Sequence, residues 1–231
     1  QAMVVTANPH ATAAGIEILR AGGSAVDAAV AIEAVLSLVE PQSSGLAGGA
    51  FMVHYDNDTK SIAVYDGRES APSGATPNMF MLENGDSMPF IQAKTSGLST
   101  GVPGVLAMLS MAHKDHGSLQ WEGLFSRASE LASEGFEISP RLYGMLVRFK
   151  KFIPSTVEEG PTDAFEYFYD AAGEPYPVGH ILKNPDYVKT LQTIANDPSA
   201  FYQGQLAKDI VEMVHQSPRA GSLSVEDIAA Y

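Results

Sequence analysis

Cysteine is absent from this chain of 231 residues. Its absence excludes disulfide bridges, thiol nucleophiles and metal sites with cysteine ligands. It leaves the redox compartment open, because a chain without thiols is compatible with reducing and oxidising surroundings alike. Long apolar runs are also missing, so no stretch of the sequence reaches the length of a membrane span.

Basic residues are scarce. The 14 lysines and arginines stand against 27 acidic residues, which gives a formal net charge of −13. Sequence-independent nucleic-acid binding requires a surplus of cations facing phosphates, and docking on anionic membranes requires the same surplus. The composition therefore argues against both kinds of partner, and an anionic ligand would need a local positive site.

The residues that are present indicate a folded chain with a sizeable core, since 45% are hydrophobic and 18% charged. Two helices are predicted first, from about Pro9 to Arg20 and from Ala25 to Val39. Asn8 caps the first helix, and Ser24 with Asp27 forms a capping box for the second. Small apolar residues on several faces of the second helix predict nearly complete burial and close packing against a sheet.

Two strand-like runs follow, Ala50 to Asp56 and Ser61 to Asp66, and the turn-forming residues between them predict a hairpin. The second strand leads into Arg68, which stands between a glycine and an acid. A guanidinium presented in this way can bind a carboxylate or phosphate through two parallel hydrogen bonds. The alternative is a surface Arg68–Glu69 neighbourhood without a ligand, and local chemistry alone favours that alternative.

The rest of the chain is predicted to be mainly helical. Periodicity and capping signals predict further helices over 100–113, 119–133, 139–152, 184–195 and 205–216. Residues 153–178 are rich in proline, glycine and tyrosine and are predicted as loop. A second capping box at Ser224 and Asp227 starts a helix barely two turns before the last residue. We therefore expect the chain to be a truncated or cleaved part of a longer polypeptide.

Two glycine motifs invite functional interpretations that their context does not favour. The glycines at 45, 48 and 49 lack the ending of a phosphate-binding loop and run into a strand, which favours tight backbone packing. Residues 97–101 match the G-x-S-x-G pattern of a serine nucleophile, with Asp163 and His180 downstream. The residues before this motif are too polar for the buried strand that a nucleophile elbow requires, so serine-hydrolase chemistry is disfavoured.

The scattered charged and titratable residues carry little further signal. His113 and His116 share a helical face without carboxylates at metal-ligand spacing, and we interpret them as a solvated helix end. The pair Glu158-Glu159 is interpreted as part of a solvated loop. The residues alone assemble no nucleophile, base and oxyanion hole.

Six separated motifs, in this order, resemble the large subunit of the gamma-glutamyltransferase (gamma-glutamyltranspeptidase) family. They are residues 4–9 (VVTANP), 14–31 (AGIEILRAGGSAVDAAVA), 40–52 (EPQSSGLAGGAFM), 66–72 (DGRESAP), 99–105 (STGVPGV) and 200–204 (AFYQG). The resemblance covers essentially the whole chain and rests on several motifs in one order. It is therefore specific.

The resemblance implies an α+β fold of the N-terminal nucleophile (Ntn) hydrolase type, an αββα sandwich of two stacked antiparallel sheets between layers of helices. Residues 1–231 would form part of one such domain. In this family a precursor cleaves itself, and the new N-terminal threonine of the small subunit attacks a gamma-glutamyl amide such as glutathione. Water, an amino acid or a peptide then accepts the gamma-glutamyl group.

By the matching motif, the resemblance assigns Arg68 to the alpha-carboxylate of the gamma-glutamyl substrate. It implies no cofactor and no metal, and it places such enzymes in the periplasm or outside the cell. The family's threonine lies beyond Tyr231, so we expect no catalytic residue in this chain and no activity from it alone. The residues that would bind the substrate's amino group are expected outside this chain as well.

Two alternatives stay open. A related acylase acting on a glutaryl amide, such as that of a cephalosporin side chain, would also use an arginine for a terminal carboxylate. A non-catalytic module could use Arg68 to bind a carboxylated ligand. Continuation of the natural polypeptide into a threonine-led small subunit separates the enzymes from the binding module.

Overall fold

The structure is a computed structural model that describes residues 2–156, 162–216 and 220–231. The helices are α1 (Pro9–Arg20), α2 (Ala25–Val39), α3 (Phe90–Lys94), α4 (Val105–His116), α5 (Ser126–Glu134), α6 (Pro140–Phe149), α7 (Asp163–Phe168), α8 (Pro185–Asn196), α9 (Ala200–Gln203), α10 (Gln205–Val214) and α11 (Val225–Ala229). Short 3₁₀ turns lie at Gly97–Ser99, Trp121–Phe125 and Lys150–Phe152. The strands are β1 (Ala50–Asp56), β2 (Ser61–Gly67), β3 (Phe136–Glu137) and β4 (Ile181–Leu182).

The caps of the first two helices confirm their sequence signals. The side chain of Asn8 accepts a hydrogen bond from the backbone N–H of His10 at 3.0 Å, and proline occupies the first turn of α1. In α2 the Ser24 hydroxyl accepts from the backbone N–H of Asp27 at 3.1 Å, and the Asp27 carboxylate accepts from that of Ser24 at 2.7 Å. Backbone N–H groups at the N-termini of α1 and α2, which have no partner within their helices, are thus paired with the capping side chains.

Helix α2 lies at the centre of the core and confirms the predicted burial. Its buried side chains include Val30, Ala34 and Val35, each at most 1% exposed. Its main described neighbours are the helices α1, α4 and α5 and the turn Trp121–Phe125. The small residues therefore serve close helix packing in this chain, rather than the packing against a sheet that the sequence predicted.

Strands β1 and β2 form the predicted antiparallel hairpin, with Asp56 paired to Ser61 across a four-residue turn. The inner side of the hairpin packs on α4 and includes Tyr65 and Gly67. The outer side presents side chains that are 54% to 70% exposed: Phe51, Val53, Tyr55, Ile62 and Val64. We call these five residues the apolar hairpin face. Alternation along a two-faced sheet places all five on one side.

The second half of the chain agrees with the predicted helices in most places, although the four-residue helix α9 was not predicted and two further segments differ. Residues 153–178 were predicted as loop, but they contain the helix α7, followed by a bridge between Tyr169 and Pro175. The helix predicted over 119–133 is a 3₁₀ turn followed by α5. The Glu158-Glu159 pair lies outside the described residues.

The second capping box forms as predicted. The Ser224 hydroxyl accepts from the backbone N–H of Asp227 at 3.1 Å, and Asp227 accepts from that of Ser224 at 3.0 Å. Asp227 also accepts from the backbone N–H of Ser73 at 3.0 Å, which ties α11 to the segment after the hairpin. No helix in the described ranges combines the length and apolarity that a bilayer crossing requires.

Candidate functional site

Arg68 follows the last residue of β2, and its backbone is fixed on both sides. Its N–H donates to the Asp66 carboxylate at 2.9 Å, and its carbonyl accepts from the Tyr231 hydroxyl at 2.8 Å. Two residues later, the Ser70 carbonyl accepts from the N–H of Val102 at 2.8 Å. The position of the Arg68 Cα is therefore set by main-chain contacts that do not involve its own side chain.

The Arg68 side chain is 58% exposed. Its Nη1 lies 3.2 Å from Oε2 of Glu69, an ion pair without hydrogen-bond geometry. The surface pair that the sequence left open as an alternative is therefore present. It uses one edge of the guanidinium, so the remaining N–H groups stay accessible to a planar anion.

The Glu69 carboxylate packs against glycine backbone. A Cβ atom at Gly49 would lie 2.2 Å from Glu69 Oε2, and one at Gly101 would lie 2.8 Å from Glu69 Cβ. Both distances are far inside van der Waals contact, so these positions require glycine while Glu69 keeps its place. This confirms tight packing for Gly49, whereas at Gly45 a Cβ would meet nothing within 4 Å.

We expect Gly49→Ala to displace the Glu69 carboxylate and, with it, the partner of Arg68. For the gamma-glutamyl activity that the family resemblance implies, this should lower kcat/KM of the full-length protein by roughly tenfold to a hundredfold, because small misplacements of binding groups are costly. Steady-state kinetics would measure the effect. Gly144→Ala on α6 is the matched control, away from Glu69, at a position where a methyl group also has room; equal losses in both variants would contradict the prediction.

A cleft of about 620 Å³ lies beside this pair, lined by the loop between α2 and β1, by Glu69 and by Glu33 of α2. Burial raises the pKa of the Glu33 carboxyl, and hydrogen bonds from the Ser37 hydroxyl and the Gly45 backbone oppose the rise. The cleft thus has acidic walls and a neighbouring arginine. Its chemistry suits the recognition of a charged, amino-acid-like group.

In the part of the chain that the structure describes, the serine of the G-x-S-x-G pattern is not paired with a base. Ser99, the serine of the G-x-S-x-G pattern, lies in a 3₁₀ turn with its hydroxyl 3.1 Å from the carbonyl oxygens of Lys94 and Ser96. Of the residues that could complete a triad, His180 stacks on Tyr176 at a centroid distance of 4.1 Å, and Asp163 begins α7. The geometry agrees with the preference against serine-hydrolase chemistry.

The interpretation of His113 and His116 as a solvated helix end was wrong. His113 Nε2 lies 3.0 Å from the carbonyl oxygen of Leu119 and 3.3 Å from the buried carboxylate of Asp27. His116 stacks on His54 at a centroid distance of 3.9 Å. Both rings join α4 to other elements. Within the described ranges, no three acidic or histidine side chains are arranged as metal ligands.

Two buried carboxylates were not predicted as such. Asp27 is fully buried, and its Oδ2 accepts from the backbone N–H groups of Ser118 and Leu119 at 2.9 and 3.1 Å in addition to its cap bond. Glu40, 1% exposed, accepts from Asn8 at 3.0 Å and pairs with Arg141. The capping box was the only signal for Asp27, and the proline after Glu40 indicated only a helix end.

The family described as Gamma-glutamyltranspeptidase matches residues 11–231. The chain belongs to the gamma-glutamyltranspeptidase family. This confirms the resemblance drawn from the six motifs.

Individual relatives agree with this assignment. The chain is 37% identical over 230 residues to a protein of Bacillus subtilis (strain 168) named glutathione hydrolase proenzyme, covering 99% of this chain and 38% of that protein. It superposes on the crystal structure of Helicobacter pylori gamma-glutamyltranspeptidase with a TM-score of 0.89 and 30% identity, over 100% of this chain and 64% of that chain. A cephalosporin acylase from Bacillus halodurans gives a TM-score of 0.74 and 28% identity, over 97% of this chain and 41% of that chain.

Two conclusions follow from these matches. The predicted α+β fold of the Ntn-hydrolase type is confirmed, since the structural neighbours of this family have that fold. The chain spans little more than a third of the length of the curated relatives that it matches.

Proposed function

We propose that this chain is the N-terminal part of the large subunit of a gamma-glutamyltransferase that also hydrolyses glutathione. The observation that carries the proposal is Arg68, an exposed guanidinium on a fixed backbone beside an acidic cleft. In a member of this family, a guanidinium in that position suits the alpha-carboxylate of a gamma-glutamyl group. Residues 1–231 would form a recognition and scaffold portion of a larger catalytic domain.

In the proposed reaction, the hydroxyl of the small subunit's N-terminal threonine attacks the gamma-carbonyl of the substrate. An ester to the gamma-glutamyl group forms, and the amine leaves with a proton delivered from the threonine's own amino group. Water or the amino group of an amino acid or peptide then attacks the ester and frees the threonine. Arg68 binds the far end of the substrate throughout and does not touch the reacting atoms.

We further propose that a small subunit from the same precursor covers the apolar hairpin face. Relatives of this chain are named as proenzymes, which supports a precursor. The five exposed apolar side chains of the face lie on one side of a two-stranded sheet, and a pair of strands with an uncovered apolar side is not stable by itself. The same family resemblance leads us to propose a periplasmic or extracellular location, which cell fractionation would test.

We expect Val64→Asp in the full-length precursor to reduce the yield of processed, two-subunit enzyme several-fold. Val64 pairs with Val53 at the centre of the apolar hairpin face, and a carboxylate buried there would have no partner. Gel electrophoresis of the purified protein measures the cleaved fraction and the recovery of both subunits. Val147→Asp, at an exposed valine on α6 outside the hairpin, is the control; normal processing of Val64→Asp would contradict the proposed covering.

The activity itself is tested with the full-length precursor and two anilides. We expect self-cleavage into two chains and faster release of the chromophore from a gamma-glutamyl anilide than from the glutaryl anilide, which lacks the alpha-amino group. Faster turnover of the glutaryl compound would favour the acylase alternative, which the similarity to a cephalosporin acylase supports. Absence of cleavage and of both activities would favour the non-catalytic binding module.

A further inference from the structure

An apolar groove of about 300 Å³ lies between α3, α6 and α7. Its walls include Ile91, Met145, Leu146, Phe149 and Phe168. Leu146 is almost fully buried, whereas the other four are partly accessible. The bottom of the groove is therefore buried, and its opening is accessible to solvent. It shares one wall, Pro41 and Gln42, with the cleft beside Glu69.

The segment that forms one side of the groove is the most basic part of an acidic chain. Residues 138–156 contain four lysines and arginines and no acidic residue, although the whole chain carries a net charge of −13. Two of the four cations are paired, Arg141 with Glu40 and Lys150 with Glu174. Arg148 and Lys151 remain, and Lys94 of α3 lies over the same aromatic ring as Arg148, that of Phe149.

These three cations lie over the aromatic rings at the mouth of the groove. The Lys94 Nζ and the Arg148 Cζ are 5.7 Å and 5.4 Å from the centroid of the Phe149 ring, and the Lys151 Nζ is 4.9 Å from that of Phe152. All three residues are exposed, and none forms an ion pair with an acidic residue in the part of the chain that the structure describes. Lys94 lines the groove, and Arg148 and Lys151 lie over two rings that line it. Such a cluster of cations beside an apolar pocket, without acidic partners in the described ranges, is complementary to an anion with an apolar tail.

We propose that this basic groove binds a small amphipathic carboxylate, with an aliphatic or aromatic tail among Met145, Leu146 and Phe149 and its carboxylate at Lys94, Arg148 and Lys151. A purely polar anion would leave the apolar walls hydrated, and a neutral apolar molecule would leave the cations unused. The charge complementarity therefore selects a ligand with both parts. The proposal does not depend on gamma-glutamyl chemistry, because it concerns other residues and is tested by binding.

The test is calorimetric titration of the processed full-length enzyme with 4-phenylbutyrate and, in parallel, with its neutral amide. We expect one site per large subunit and roughly tenfold tighter binding of the acid, because charge-assisted contacts are formed only by the carboxylate. Met145→Glu, which places a negative charge inside the groove, should abolish binding of the acid. The triple variant Lys94→Gln, Arg148→Gln, Lys151→Gln should bring the acid down to the affinity of the amide.

Two control variants test whether binding of the acid depends specifically on residues of the groove. Met213→Glu places the same charge on an exposed methionine of α10 that does not line the groove, and Lys208→Gln removes a cation from the same helix. Both should bind the acid as the wild type does, and thermal unfolding should show that every variant is folded. Equal affinities for acid and amide, or wild-type binding by Met145→Glu, would overturn the proposal. So would absence of binding, which would mean that the rest of the polypeptide or a second copy occupies the groove.

Discussion

Replacing Arg68 by alanine in the full-length enzyme should raise KM for a gamma-glutamyl anilide sharply and leave self-cleavage intact. Loss of a two-pronged contact to the substrate carboxylate is expected to cost about 2–5 kcal/mol in kcat/KM. Precursor cleavage needs no substrate carboxylate, so the cleaved fraction should equal that of the wild type. Steady-state kinetics and gel electrophoresis of the same preparation measure both quantities.

The fold should tolerate this change. The described contacts of the Arg68 side chain are limited to an exposed pairing with Glu69, and such pairs contribute about 0–1 kcal/mol. The backbone bonds to Asp66 and Tyr231 do not involve the side chain and should persist. A shift in thermal unfolding larger than that of the control variant Arg127→Ala would therefore indicate a structural role.

Two further variants test whether the kinetic effect depends on the guanidinium group and on this particular arginine. Arg68→Lys keeps the charge but cannot form two parallel hydrogen bonds, so it should recover only a small part of the lost activity. Arg127→Ala removes another partly exposed arginine, paired with Glu130 on α5, and should leave KM unchanged. If Arg68→Ala shows wild-type kinetics, Arg68 does not bind the substrate.

Asp27→Ala should be among the most destabilising single substitutions in the described core. It removes the acceptor of three backbone N–H groups, those of Ser24, Ser118 and Leu119, at a position with no solvent access. Buried donors without a partner each cost free energy, and we expect a total loss of roughly 3–5 kcal/mol. The melting temperature should fall by about 10 °C or more.

The chain contains a control for this experiment in its second capping box. Asp227→Ala removes the same kind of cap, from a half-buried residue that also accepts from Ser73. Water can replace bonds lost there, so the cost should be about 1 kcal/mol, typical of a helix cap. Comparable destabilisation by the two variants would show that burial of the Asp27 network adds nothing to the cap itself.

The comparison of these two aspartates also shows what the sequence could predict. Both capping boxes are local patterns of four residues, and both formed as predicted, as did the Asn8 cap and the hairpin. The additional donors to Asp27 come from residues more than 90 positions away along the chain. No local sequence pattern predicts such a contact. The same reason explains why His113 was interpreted as solvated.

Only part of the candidate site was predicted, because some of its contacts also join residues that are distant along the chain. Arg68 and the strand before it carry local signals, and the six ordered motifs indicated the family. The packing of Glu69 on Gly49, and the position of Glu33 beneath the loop that follows α2, arise only when separate elements meet. The short helix α7 was missed because turn-forming residues on both sides of it favoured loop over the whole segment.

The way in which Arg68 is held has a consequence for the evolution of specificity. Neighbouring groups bind its main chain, while its side chain extends into solvent. With Arg68 in the substrate-binding role that we propose, an exchange of its side chain should therefore change which acyl group is accepted at little cost to folding. Related enzymes could reach new substrates by single steps here that leave the scaffold unchanged.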